Sequence, residues 1–136
     1  MTLAFVFPGQ GSQSVGMLNA LAEAYPQVQE TFAEASMALG YDLWSIATAG
    51  PEDKLNQTEI TQPAMLSAGV AVWRVWQAEK GPQPVVMAGH SLGEYTALTC
   101  AGAILFADAV RLVADRGRFM QEAVPAGKGG MAAIVG

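Results

Sequence analysis

A serine flanked by two glycines is the part of this sequence with the clearest potential for chemistry. The segment Gly89-His90-Ser91-Leu92-Gly93 directly follows the apolar residues 85–88. In a Gly-x-Ser-x-Gly pattern, a serine on a sharp strand-to-helix turn exposes its hydroxyl as a nucleophile, and the glycines avoid a Cβ clash. The following helix directs free N–H groups at a developing oxyanion. The pattern predicts a nucleophile elbow at Ser91, with a purely structural turn as the alternative.

A serine nucleophile needs a base, and the sequence offers few candidates. The single histidine, His90, should point away from its neighbour Ser91 in such a turn, so we expect it to be packed and hydrogen-bonded. Asp108 suits a helix start, and Asp115 falls on a polar helix face. The single cysteine, Cys100, lies among apolar residues and is expected to be a buried thiol rather than a nucleophile. The residues therefore indicate a nucleophile without a convincing base.

Arg116 is the second candidate, because a helical projection places it on an apolar face. At ~100° per residue, a helix over residues 107–124 has an apolar arc that contains Arg116. Arg111 and Arg118 of the same segment fall on the opposite, polar side. A buried guanidinium without a partner is unfavourable, so three interpretations stay open. Arg116 forms an internal ion pair, extends to the surface, or holds a ligand carboxylate with its planar fork.

A glycine-rich loop, Pro8-Gly9-Gln10-Gly11-Ser12-Gln13, follows the apolar residues 3–7. A dinucleotide-binding fingerprint would need a third glycine where Ser14 stands, and a phosphate-binding loop would need a lysine where Met17 stands. Both nucleotide interpretations therefore fail. Either the loop is a tight turn without a ligand, or its backbone N–H groups near Gln10 approach a substrate oxygen.

The elements that must position these candidates alternate between strand and helix. Residues 3–7 and 85–89 are continuous apolar runs, typical of strands covered on both faces in a parallel sheet. The sequence predicts helices over residues 15–24, 26–39, 41–47, 61–77, the segment from Leu92 towards Gly102, and 107–124, with a loop at 50–53. This alternation predicts an α/β fold.

The helix predicted over residues 61–77 is apolar nearly all round, which indicates a central, buried position. Thr61 suits its N-cap and Pro63 its first turn. Gln62 is a polar residue at this helix start. Capping or solvent exposure would explain it, and a polar role in a site is the alternative.

Composition limits the possible classes of function. The chain has 136 residues, 51% of them hydrophobic and 14% charged, which indicates one densely packed domain. A net charge of -5 argues against nucleic acid and anionic membranes as partners. No apolar run approaches the ~18 residues of a membrane span, and residues 1–8 lack the basic start of a signal peptide. A single cysteine fits the reducing cytoplasm.

Four segments taken together resemble the acyltransferase family. They are Phe7-Pro8-Gly9-Gln10-Gly11-Ser12-Gln13, Thr61-Gln62-Pro63-Ala64, Gly89-His90-Ser91-Leu92-Gly93-Glu94-Tyr95 and Arg116-Gly117. They occur in family order across the whole chain, and they are most similar to the malonyl-CoA:acyl carrier protein transacylases of bacterial fatty acid biosynthesis. The resemblance implies that Ser91 takes a malonyl group from coenzyme A as an ester. It then passes the group to the phosphopantetheine thiol of acyl carrier protein.

The resemblance also implies roles for individual residues. The backbone N–H groups of Gln10 and Leu92 would form the oxyanion hole, and Arg116 would bind the malonyl carboxylate. Gln62 corresponds to a residue near the acyl pocket, and His90 to a family histidine that is not the base. The family needs no metal or cofactor, since malonyl-CoA is a substrate.

Members of the family are about twice as long, and their catalytic histidine lies downstream of the arginine. They have an α/β hydrolase-like core, with a mostly parallel sheet and a nucleophile elbow, into which a ferredoxin-like subdomain is inserted. Residues 1–124 would form the N-terminal part of that core. Residues 125–130 would be a linker, and residues 131–136 resemble the first strand of the subdomain. We therefore expect an N-terminal portion that lacks the catalytic base and is inactive alone.

Two other classes of function stay open. A serine acyl hydrolase would release the acyl group to water, but a lipase-like pocket has no use for the buried cation of Arg116. A non-catalytic fragment would only bind carrier protein or coenzyme A, and the chain has few basic residues with which to meet an acidic carrier.

Overall fold

Two short parallel strands carry the glycine-rich loop and the Ser91 turn at the same end. A computed structural model describes residues 2–130, 132 and 134–136. Strand β1 (Ala4–Phe7) pairs with strand β2 (Val86–Gly89), with Ala4 opposite Val86 and Phe7 opposite Gly89. The predicted parallel pairing is confirmed. Because the carboxyl ends of parallel strands lie at one edge of a sheet, the two loops are neighbours.

Helices make up most of the described chain, which is an α/β structure with a small sheet. In chain order they are α1 (Asn19–Ala24), α2 (Pro26–Leu39), α3 (Leu43–Ala49), α4 (Glu52–Leu55), α5 (Thr58–Ala78), α6 (Leu92–Cys100) and α7 (Phe106–Ala123). Helix α5 is central and packs against α2, α6 and α7. The core side chains between these helices include Phe32, Leu66 and Val113, all fully buried.

Helix α2 agrees with the prediction at both ends, while the starts of α1 and α3 differ. Pro26 opens α2, and Gly40 closes it with φ 81°. Helix α1 begins at Asn19 rather than at residue 15, because Leu18 adopts a left-handed φ of 66° that does not continue a helix. Helix α3 begins at Leu43, where Asp42 caps it by accepting from the Ser45 N–H.

The predicted loop at residues 50–53 is wrong in its second half, since α4 begins there at Glu52. Two acidic residues, Glu52 and Asp53, occupy its first turn, where the helix dipole favours negative charge. The helix is stabilised by its last residue, Leu55, which is fully buried.

Helix α5 begins at Thr58, one turn earlier than the sequence predicted. Thr61 is therefore not the cap: it is fully buried, and its hydroxyl lies against the carbonyl oxygens of Leu55 and Gln57. Pro63 accordingly lies in the second turn of α5 rather than in the first. The tertiary burial of Thr61 overrides its local capping preference.

The prediction that both faces of the sheet are covered is wrong for the described residues. Phe5 packs edge-on against Trp73 and Trp76 of α5, with ring centroids 5.3 and 5.4 Å away. On the opposite face Val6 is 75% exposed, and Val86 of the neighbouring strand is 53% exposed. In the described part of the chain, the helices cover one face of the strands and leave apolar side chains of the other in contact with solvent.

The linker and strand predicted after residue 124 stay predictions. Helix α7 ends at Ala123, close to the predicted end of the core segment. The predicted strand at residues 131–136 includes Met131 and Ala133, which lie outside the described residues.

Candidate active site

Ser91 occupies a sharp turn between β2 and α6. The strand ends at Gly89 and the helix begins at Leu92, so only His90 and Ser91 connect them. Ser91 has φ 54° and ψ -115°, a backbone conformation that is rare for a residue with a side chain. Such strain persists only where the surrounding structure imposes it, and it is concentrated at functional sites. The exposed side chain of Ser91 is available to a ligand.

The two glycines of the pattern allow the backbone to close tightly around this turn. A Cβ at Gly89 would lie 2.0 Å from the carbonyl carbon and oxygen of Gly93. A Cβ at Gly93 would lie 2.2 Å from the carbonyl oxygen of Phe7. Because these neighbours are backbone atoms, larger residues at either position would force α6 away from the strands.

The glycine-rich loop lies against the same turn. A Cβ at Gly9 would lie 2.9 Å from the carbonyl oxygen of His90, so the two backbones are in direct contact. The Gln10 side chain donates to the Thr58 hydroxyl over 3.1 Å, which anchors the loop to the start of α5. Gln13 accepts from the Gly11 N–H and donates to the Asn56 side chain, each over 2.8 Å.

The two backbone N–H groups assigned to an oxyanion hole belong to Gln10 of the glycine-rich loop and to Leu92 at the end of the Ser91 turn. Leu92 is the first residue of α6, where a helix provides no acceptor for the N–H. The next two N–H groups donate to the carbonyl oxygens of His90 and Ser91, over 3.0 and 3.1 Å. The structure thus places Gln10 on the glycine-rich loop and Leu92 at the start of α6, on either side of the contact between that loop and the Ser91 turn, while their role stays a prediction.

Arg116 reaches Ser91 from α7. Its Nη2 donates to Ser91 Oγ over 3.0 Å, and its Nη1 donates to Gln62 Oε1 over 2.8 Å. The guanidinium carbon also lies 5.3 Å from the centre of the Tyr95 ring, within range of a cation–π interaction. The inward direction taken from the helical projection is confirmed. Among the described residues Arg116 forms no ion pair, so the internal ion pair interpretation does not hold for them.

The other arginines of α7 have a different environment. Arg111 pairs with Asp108 over 3.2 Å, and Arg118 pairs with Asp115 over 3.0 Å. All four side chains are largely exposed, which the helical projection predicted for Arg111, Arg118 and Asp115. Arg116 thus differs from its neighbours in pointing towards neutral partners.

Gln62 is fully buried, so solvent exposure does not explain why a polar residue stands at this position. Helix capping is also excluded, because α5 begins four residues earlier. Its amide oxygen accepts from Arg116, and its amide nitrogen donates to the Met120 sulfur over 3.2 Å. Sequence reasoning missed Met120, although its position one turn after Arg116 on the apolar arc was a usable signal. Both ends of the buried amide are therefore occupied.

No candidate base is hydrogen-bonded to Ser91 in the described part of the chain. The His90 side chain is exposed there and makes no hydrogen bond, so the expectation of a packed, hydrogen-bonded residue is wrong. Asp108 and Asp115 hold surface arginines instead. The only side-chain hydrogen bond of Ser91 among the described residues comes from Arg116.

Cys100 is half-buried, and burial raises the pKa of its thiol to about 12, while the positive charge of Arg74 acts in the opposite direction. The group is neutral at physiological pH and behaves as the small apolar side chain that the sequence predicts.

We expect iodoacetamide at pH 8 to alkylate Cys100 at least about tenfold more slowly in the folded protein than in urea, because only thiolate reacts. Mass spectrometry of the peptide containing Cys100 measures both rates. Equal rates would contradict the burial of this thiol.

The described residues contain no group of three or more His, Cys, Asp or Glu side chains that could hold a metal ion. None of their helices has the length and apolar character needed to cross a bilayer.

Comparison with known proteins identifies the family to which this chain belongs. Residues 4–135 match the family described as the acyl transferase domain. The chain is 69% identical over 133 residues to the malonyl CoA-acyl carrier protein transacylase of Salmonella typhimurium, and 68% identical over 133 residues to that of Escherichia coli. Each alignment covers 98% of this chain and 43% of the relative, so the chain spans less than half of their length.

Solved structures show the same similarity. An acyl carrier protein S-malonyltransferase from Vibrio cholerae superposes with a TM-score of 0.91 and 62% identity, over 93% of this chain and 42% of that one. A malonyl-transacylase in complex with its type II polyketide acyl carrier protein superposes with a TM-score of 0.90 and 62% identity, over 92% and 40%.

Proposed function

Because the chain belongs to the acyl transferase domain family, we propose that it forms the nucleophile-bearing part of a malonyl-CoA:acyl carrier protein transacylase. The observation that carries the proposal is the position of Arg116, whose guanidinium donates to Ser91 Oγ over 3.0 Å. A cation beside a serine hydroxyl suits an acyl group that ends in a carboxylate, such as malonyl. The names of the curated relatives support the same substrate and carrier.

The reaction proceeds in two acyl transfers through Ser91. Its Oγ attacks the thioester carbonyl of malonyl-CoA, and its proton passes to a base that we place in the part of the enzyme following this chain. The N–H groups of Gln10 and Leu92 stabilise the negative charge on the carbonyl oxygen. The carbon–sulfur bond breaks, coenzyme A leaves as the protonated thiol, and a malonyl ester remains on Ser91. The phosphopantetheine thiol of the carrier protein then attacks this ester and regenerates the hydroxyl.

Gln62 contributes by orienting Arg116 without neutralising it. Its amide oxygen holds Nη1, which fixes the plane of the guanidinium fork. Because an amide carries no net charge, the positive charge of Arg116 is retained for the ligand. On substrate binding the malonyl carboxylate would replace Ser91 Oγ as the acceptor for Nη2 and release the hydroxyl for attack.

The finer features of the fold belong to the same proposal. The strained turn at Ser91 acts as a nucleophile elbow at the edge of a hydrolase-like, mostly parallel core. A ferredoxin-like subdomain follows, starting near residue 131. We propose a cytoplasmic enzyme of fatty acid biosynthesis that takes coenzyme A thioesters and acyl carrier protein as its partners, and uses neither a cofactor nor a metal.

The direct test is to incubate the complete protein with malonyl-CoA and phosphopantetheinylated acyl carrier protein, and to follow both products by mass spectrometry. We expect malonyl-carrier protein to form. Release of free malonate without loading of the carrier would contradict a transacylase and favour the serine hydrolase.

The carboxylate role of Arg116 predicts a change in acyl preference. Arg116→Ala should lower malonyl transfer strongly while sparing acetyl transfer, because the acetyl group has no carboxylate to bind. Loss of a charge-assisted hydrogen bond costs about 1.5–3 kcal/mol, which is at least about tenfold in the malonyl-to-acetyl ratio of kcat/KM.

Arg118→Ala is the matched control, since Arg118 lies on the same helix but pairs with Asp115 and Glu122 at the surface. It should leave the ratio unchanged. Equal losses of malonyl and acetyl transfer in Arg116→Ala would indicate a structural role for Arg116 instead.

A further inference from the structure

Gly117, the residue after Arg116, lies where α7 crosses the first turn of α5. It is buried, and a Cβ built on it would lie 2.6 Å from the carbonyl oxygen of Thr58 and 2.8 Å from the Cα of Glu59. Both neighbours are backbone atoms, so no side-chain rotation could make room for a methyl group. The absence of a side chain at Gly117 therefore sets how closely α7 approaches α5.

The same crossing of α7 over α5 brings the two terminal nitrogens of Arg116 to their hydrogen-bond acceptors. Gln62 lies on α5 one turn beyond Thr58, and it accepts from Arg116 Nη1 over 2.8 Å. Ser91 lies on a different element, the turn before α6, and it accepts from Nη2 over 3.0 Å. One planar group that bonds to two separate elements tolerates little displacement, because a hydrogen bond weakens rapidly beyond its normal range of about 2.7–3.2 Å.

We infer that Gly117 is a positioning residue for acyl selection. It holds α7 close enough to α5 for Arg116 to donate hydrogen bonds to both Gln62 and Ser91. This inference rests on the proposed function. A methyl group at this position would need roughly 1 Å of extra separation to reach ordinary contact, and a displacement of that size can cost on the order of 10²-fold in rate. The loss should fall on the acyl group that Arg116 binds.

Gly117→Ala in the complete protein tests the inference through the malonyl-to-acetyl ratio of kcat/KM. We expect the ratio to fall at least about fivefold, with KM for malonyl-CoA rising more than KM for acetyl-CoA. A glycine needed only for packing would lower both transfers equally.

Gly69→Ala is the matched control, because it also adds a methyl group to a tight helix contact. Its Cβ would lie 2.5 Å from Thr96 Cγ2, at the contact of α5 with α6 and two turns from Gln62. We expect a lower yield or melting temperature but an unchanged ratio. An unchanged ratio in folded Gly117→Ala would overturn the inference.

A variant with a smaller structural change tests the inference if Gly117→Ala does not fold. Val113 is fully buried one turn earlier on the same face of α7, and Val113→Ile adds one methyl group there. It should shift the ratio in the same direction but less, and an unchanged ratio would then count against the inference. If Arg116→Ala itself leaves the ratio unchanged, the proposed function fails; if only the Gly117 and Val113 variants do so, the positioning role fails alone.

Discussion

Replacing Ser91 with alanine should abolish malonyl transfer by the complete protein, with a loss on the order of 10⁴-fold or more. In the proposed reaction, the Ser91 hydroxyl carries the acyl group between the two thiols. Cys100, the one thiol of this chain, stays protonated because burial raises its pKa to about 12. After incubation with malonyl-CoA, the peptide containing Ser91 should carry a malonyl group in the wild type and none in Ser91→Ala.

Cys100→Ala serves as the control and should retain the adduct on Ser91. The variant Ser91→Ala should still fold, because the exposed hydroxyl makes its only side-chain hydrogen bond among the described residues with Arg116. An adduct that persists in Ser91→Ala, or one that maps to Cys100, would refute Ser91 as the nucleophile.

Residues 1–136 expressed alone should not turn over malonyl-CoA. A serine hydroxyl is a weak nucleophile near neutral pH unless a base takes its proton. Proton transfer by a positioned side chain contributes typically about 10²–10⁴-fold. Within the described residues, Ser91 receives its only side-chain hydrogen bond from Arg116, and the two aspartates of α7 pair with surface arginines. The remaining rate would come from the oxyanion site and substrate binding alone.

The exposed apolar face of the sheet is a second reason why the isolated chain should be inactive. Val6, Val85 and Val86 are 75%, 71% and 53% exposed, so the isolated chain presents apolar strand surface and should aggregate. The measurement compares transfer rates and sedimentation of residues 1–136 with those of the complete protein. A monomeric 136-residue chain with nearly full activity would show that the base lies within it, and His90 or an aspartate would then take that role.

Local chemistry made several elements predictable from the sequence alone. The bounds of α2 follow from Pro26 and Gly40, because a proline suits a first turn and a glycine readily adopts the left-handed conformation that ends a helix. The turn at Ser91 follows from the spacing of its two glycines. The inward direction of Arg116 follows from a periodicity that spans a single helix. Each of these predictions depends on residues within a single helix or turn.

Only the tertiary structure decided what those elements contact. Gln62 is fully buried and bonded to Arg116, 54 positions away in the sequence, because α7 packs on the start of α5. The same crossing explains why a glycine follows Arg116, and neither fact is encoded in neighbouring residues. Thr61 is buried inside α5 although its side chain would suit a helix cap. The exposure of one face of β1 depends on which helices pack against the sheet.

The sequence therefore determined which residues could do chemistry and the local backbone that presents Ser91. Helix packing decided that Arg116 lies against both Ser91 and Gln62, with separations of 3.0 and 2.8 Å between their polar atoms. The physical reason is range: backbone dihedral preferences and helical periodicity act over a few residues, whereas a hydrogen bond between distant segments exists only after the core has set the distance between their helices.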